Sequence, residues 1–227
     1  MKDGMKSVAG SAEGVTLIEL LVVLAIVGIL VGVGVNMMGG TLTKHRLGSA
    51  SEELSTRLRA APMIAVARNQ PVTVVFSNTP GSAAGQEDFY VACLDTDDDS
   101  DCSDEGADGY LNLDSGRLGA LETAKKQLHR LLEIYEVQFS AATPLAVTFE
   151  PPSGLVKRIT DSGGALVNGV VCLRAEIGDE GDDWDDRFDY RRVTVDPVVG
   201  RTNSWRNVAG ITENPGCRDN PKWQEVD

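Results

Sequence analysis

Apolar positions along the chain fall into three regimes. From Leu20 to Val35 the residues are continuously apolar or glycine, and no charged residue lies between Leu20 and Thr43. A helix over that stretch extends roughly 36 Å, enough for a ~30 Å hydrocarbon core. Lipid offers backbone groups no partner but one another, so the run predicts a membrane helix despite its many valines. A buried core helix is the plain alternative. A secretory signal peptide would have a shorter apolar run and a small-residue cleavage site after it, and none follows here. In the second regime Leu47, Ala50, Leu54, Leu58, Ala61 and Ala65 recur every three or four residues, the spacing of an amphipathic helix. Glu53 and Arg57 form a favourable i,i+4 pair on its other face. One helix is therefore expected from Val15 to about Ala67, pliable around Gly34, Gly39 and Gly40 and kinked or broken at Pro62. The third regime is a series of short strands: Pro71–Phe76, Phe89–Leu94, Glu136–Phe139, Leu145–Phe149, Gly169–Arg174 and Arg191–Val195. Leu118–Leu132 reads more as helix than strand. The sum is an α+β chain, a long N-terminal helix carrying an antiparallel sheet on one face.

Composition sharpens this picture. Of 227 residues, 42% are hydrophobic and 24% charged, a foldable balance. The formal charge is −13, opposite to that of a general nucleic-acid binder. It is also unevenly placed. Residues 95–108 hold eight acids and no base, and residues 176–189 hold eight acids and one base. These two loops carry −15 together, so the rest of the chain sums to +2 and the overall charge says little about partners. Only two histidines occur, His45 and His129, which excludes multi-histidine metal chemistry. His45 is expected just beyond the apolar run, and His129 on the exposed face of a helix. No nucleophile elbow, P-loop or HExxH motif is present, so no enzymatic activity is expected.

One residue departs from a plain anchor. Glu19 stands at the start of the apolar run, in Gly14-Val15-Thr16-Leu17-Ile18-Glu19-Leu20. A carboxylate there costs up to ~3 kcal/mol at mid-membrane and less near an end, which marks it as a functional candidate. Cleavage after Gly14 would place a new amine on Val15, one helical turn from Glu19. This pattern resembles the class III prepilin signal of type IV pilins and type II secretion pseudopilins. The resemblance implies a prepilin peptidase that cuts after Gly14 on the cytoplasmic side and methylates Val15. It implies a retained apolar helix that becomes the filament core, and a Glu19 that pairs with a neighbour's amine during assembly. Val15 departs from the usual Phe. Gly28 and Gly32 form a GxxxG element, read either as a helix–helix seam or as ordinary glycine content. Asn36 stands where major pilins often carry Pro, which with the bulky acidic head favours a minor subunit.

The head resembles the GspH/FimT family of pseudopilins and minor pilins. The similarity lies in Ala67-Arg68-Asn69-Gln70-Pro71-Val72-Thr73, in Val147-Thr148-Phe149 with Gly154, and in Arg191–Val195 closing on Gly200-Arg201. Some members bind DNA through Gly-Arg-x-Arg. Here Asn203 breaks that motif and the second arginine is Arg206, so DNA contact through Arg201 and Arg206 is the lesser reading and a tight turn at Gly200 the favoured one. No cofactor is expected. Asp97, Asp99 and Asp101 alternate like the start of a calcium loop, but Cys102 and Asp108 break the EF-hand pattern. A looser calcium site on these acids is the lesser reading, and a solvated loop is the simpler account. Four cysteines, all after the apolar run, suit an oxidising periplasm and allow three pairings. Of these we expect Cys93–Cys102 and Cys172–Cys217. The expected organisation is a leader over 1–14, a membrane and filament-core helix over 15–43, its amphipathic continuation over 44–67, and a periplasmic head over 68–227. Such a protein would be single-pass in the bacterial inner membrane. Its partners would be other pilins or pseudopilins and the prepilin peptidase, and its place near the tip of a pilus or pseudopilus.

Overall fold

The structure is a computed structural model. It describes residues 15–77, 88–96, 102, 109–129, 132–139, 145–157, 166–176, 188–198, 200–207, 217 and 223–226, with the side chains of 33–40 outside that set. The chain divides into two compact units, Met1–Gly39 and Gly40–Asp227. Helix α1, Leu17–Arg68, runs through Pro62 without interruption. Its start is set by Thr16, whose Oγ1 accepts the Glu19 backbone N–H at 3.3 Å, the N-cap half of a Thr-x-x-Glu capping box. Its end is set by Asn69, in the left-handed region at φ 52°. The Asn69 N–H donates to the Val66 carbonyl and the Gln70 N–H to the Ala65 carbonyl, both at 3.3 Å. That is a Schellman motif, with Pro71 following to prevent continuation.

In the second unit α1 buries Leu47, Leu54, Leu58, Ala61 and Ala65, each 0–1% exposed. Ser51 and Ser55 lie buried with them. The strands are β1 (Val72–Ser77), β2 (Phe89–Leu94), β3 (Tyr110–Asn112), β4 (Arg117–Gly119), β5 (Lys126–Gln127), β6 (Leu132–Gln138), β7 (Ala146–Glu150), β8 (Leu155–Val156), β9 (Gly169–Glu176), β10 (Phe188–Val195), β11 (Thr202–Asn207) and β12 (Trp223–Val226). A single turn of helix, α2 (Leu121–Ala124), precedes β5. The strands form two sheets among the described residues, where one was expected. The first has the order β4-β3-β2-β1-β7-β8, with β5 also on β2; the second has the order β12-β11-β10-β9-β6. All pairings are antiparallel.

Alternation along β1 explains its central place. Val72, Val74 and Phe76 face the main core, and Thr73 and Val75 face the other side. Phe76 packs on Tyr90 and Phe139 with ring centroids 5.9 and 5.5 Å apart. The same core takes Val171 and Leu173 of β9 and Val193 and Val195 of β10, so both sheets share it with α1. Asp88, nearly buried, ties the sheets by accepting the Ile134 N–H at 2.6 Å.

The segment 118–132 departs from its helical expectation. Among its described residues helix is confined to Leu121–Ala124, and 118–119, 126–127 and 132 are strand. His129 accordingly lies beyond β5 and not on a helix.

Candidate functional site

The first described stretch of α1 exposes one side chain after another. Val15, Leu17, Ile18 and Leu20 lead a series that continues through Leu30 and Val31, all exposed. An uncovered apolar rod of this kind calls for lipid or other helices around it. Among the described residues, no helical run is long and apolar enough to cross a membrane. Glu19 is the acid of the first turn, where the helix dipole favours negative charge. Gly28 and Gly32 have open space where a Cβ would stand, so each leaves a flat spot on the rod. Gly14 lies outside the described residues.

Further along, α1 is bound to the head by polar contacts as well as by its core. Thr202 on β11 is the hub: Arg59 Nε and Nη2 donate to its carbonyl at 3.2 and 2.9 Å, and Nε reaches its Oγ1 at 2.9 Å. Thr202 Oγ1 also donates to the Ser55 carbonyl at 3.2 Å. Arg57 bridges Glu53 at 3.0 Å and Asp114 at 2.5 Å. Beneath that cluster, burial pushes the Tyr90 hydroxyl well above its ordinary range, against the opposing pull of Arg57.

Asp97, Asp99 and Asp101 lie outside the described residues. Asp95, the first acid of that run, points inward: it is 1% exposed and accepts the Thr73 hydroxyl at 2.9 Å. Cys93 is joined to Cys102, with Cα atoms 5.7 Å apart, and Cys172 to Cys217, 6.1 Å apart. Each bridge sits in its own small apolar cluster, separate from the main core.

Arg201 is exposed at the β10–β11 turn, where the Asp196 N–H donates to its carbonyl at 2.8 Å. Gly200 fills that turn, and a Cβ there would meet Phe149 and Val156 at 3.1 Å. Arg206 is held by Gln224 Oε1 at 2.8 and 3.1 Å. The two arginines, five positions apart in extended chain, stand roughly 16 Å from each other.

Sequence reading missed two arginine–aromatic sandwiches on the second sheet. Arg174 lies 4.7 Å from both Tyr135 and Phe188, and Arg192 lies 4.9 Å from both Trp205 and Trp223. Arg192 also donates to the Cys217 carbonyl at 3.3 Å, and desolvation lowers its pKa to about 10. Alternation along β10 was the available signal, since Tyr190 and Arg192 share the face opposite Val193 and Val195.

A long capped helix, a shared helix–sheet core and a β-rich head define the architecture. Residues 50–198, well over half of the chain, match the family described as type II transport protein GspH. The chain belongs to the GspH family. Residues 11–35 match the prokaryotic N-terminal methylation motif. Together these matches make the GspH chain a pilin-like pseudopilin or minor pilin of the type II secretion kind. Such families are structural subunits that assemble with other pilins or pseudopilins. No curated protein and no solved structure matches the chain.

Proposed function

We propose that this chain is made as a prepilin, cut after Gly14 by a prepilin peptidase and methylated on Val15. It then waits in the inner membrane as a single-pass protein with its head in the periplasm. The observation that carries this reading is the methylation motif over residues 11–35, which overlaps the exposed apolar side chains of α1.

The chemistry follows from Glu19. In lipid its carboxylate is costly unless a cation faces it. Cleavage supplies that cation as the Val15 amine, and methylation leaves an amine able to carry charge. Within one subunit the two groups lie about one helical turn apart. Between subunits, the amine of an incoming chain can neutralise a Glu19 already in place. Apolar side chains then exchange lipid for neighbouring helices, and Gly28 and Gly32 let those helices approach. The acidic head and Asn36 support a minor subunit near the tip that primes assembly.

Two measurements test this. Intact mass and N-terminal sequencing of protein extracted from native membranes should find Val15 first and one methyl group heavier. A chain still beginning at Met1 would refute processing. Glu19→Ala should insert normally yet fail to enter filaments, read by cross-linking to other pseudopilins. Wild-type incorporation by that variant would remove Glu19 from assembly.

A further inference from the structure

The chain's only two histidines, 84 positions apart, line one cavity of about 690 Å³ within the second unit. His45 and Arg46 reach it from α1, and Lys126 and His129 from β5 and the segment after it. Among the described residues its wall holds one acid, Glu53, which is engaged twice, by Lys126 at 2.6 Å and by Arg57 at 3.0 Å. Arg46 Nη1 faces His129 Nε2 at 3.2 Å. A guanidinium only donates, so Nε2 is the acceptor in this contact, and an anionic oxygen would be a stronger acceptor for the same group. Leu42, half exposed, and Leu128 and Leu132 give the same cavity an apolar wall.

We propose that this cavity binds a phosphate group, supplied by an anionic phospholipid headgroup. A phosphate oxygen would replace His129 as the acceptor for Arg46, and His45 and Lys126 would close around the other oxygens. The glycerol end would lie on Leu42 and Leu128. The lipid source rests on the anchored reading above, since His45 comes two residues after the uncharged run that ends at Thr43. Phosphate binding itself rests on the cavity alone. The site would hold the subunit at the membrane surface before assembly and release it when the helix leaves the bilayer.

The test uses the full chain in neutral detergent with ¹⁵N-labelled histidine, which gives two sets of ring-nitrogen signals, one for each imidazole. Short-chain phosphatidylglycerol should move both sets saturably, and short-chain phosphatidylcholine should not. Arg46→Gln, an exposed substitution, should weaken the phosphatidylglycerol response roughly tenfold, the scale of one lost charge-assisted contact. Lys126→Gln should weaken it as well, and Arg46→Lys should keep most of it. Equal responses to the two lipids, or an unchanged affinity in Arg46→Gln with a native amide spectrum, would overturn the site. Saturation by inorganic phosphate at the same affinity would overturn the lipid source. Alkaline carbonate washing of membranes carrying the full chain tests the anchor separately, because the short-chain titration does not require insertion.

Discussion

Gly154 shows how much one missing side chain controls. It has φ +68°, and a Cβ there would sit 3.0 Å from Pro62 Cβ and 3.1 Å from the Pro62 carbonyl oxygen. A helix backbone cannot yield that space cheaply, so Gly154→Ala should destabilise the fold by about 2–3 kcal/mol in denaturant titration. Gly116 has a similar φ of +65° but nothing within 4 Å, and Gly116→Ala should cost only about 1 kcal/mol. Equal losses would argue against close packing at Pro62. Tyr90 gives a pH prediction. Its folded pKa is raised, so the folded state holds the phenolic proton more tightly than the unfolded chain. The resulting stability is complete below the unfolded value of about 10 and is lost as pH climbs above it. Arg192, whose pKa is lowered to about 10, acts with the opposite sign above that pH. The informative quantity is therefore the difference between wild type and Tyr90→Phe: the variant should lose less stability between neutral pH and pH ~11. Neither environment can be read from the identity of a Tyr or a Gly, since both depend on distant residues.

At the scale of elements, the helix stop at Asn69 is a local device with a local test. Left-handed backbone costs an ordinary L-residue about 1–2 kcal/mol and Gly almost nothing. Asn69→Ala should lower the thermal midpoint, and Asn69→Gly should hold or raise it; the reverse order would exclude the left-handed cap. Other elements were legible in proportion to their hydrophobic signal. β1 and β2 stand out as β-branched or aromatic runs between turn residues. The seam of α1 was visible as Leu47, Leu54, Leu58, Ala61 and Ala65. Ser51 and Ser55 were not, because a small hydroxyl looks like the polar face until Thr202 and Ser204 meet it. β11 was missed for the same reason. Its sequence TNSWRN has no apolar alternation, and its strand form rests on pairing with β10 and on hydrogen bonds exchanged with α1. The leucines and basic residues of 118–132 suggested helix, but cross-strand pairing with β2 and β3 overrode that local preference.

For the whole molecule, the two disulfides constrain different lengths of chain. Cys93–Cys102 spans 9 residues and Cys172–Cys217 spans 45. Restricting the unfolded chain stabilises more when the closed loop is longer. Cys172→Ser with Cys217→Ser should therefore cost about 3–4 kcal/mol, and the Cys93/Cys102 pair about 2–3 kcal/mol, in parallel denaturant titrations. The former should also loosen the Arg192 sandwich, seen as a change in Trp fluorescence. Equal costs would indicate that the C-terminal segment is held by β12 pairing and packing without its bridge.

The sequence by itself determined the uncharged run and the acid at its head, the helical period that follows, and the strands with strong apolar signal. Each of these is a matter of neighbours along the chain, where spacing and side-chain type suffice. The tertiary structure decided which of three cysteine pairings forms and that the strands divide into two sheets. It also placed Asp95 inward against Thr73, and brought His45 and His129 to one cavity. Those outcomes depend on contacts between residues far apart in the chain, whose free energies arise only once both partners are held in place.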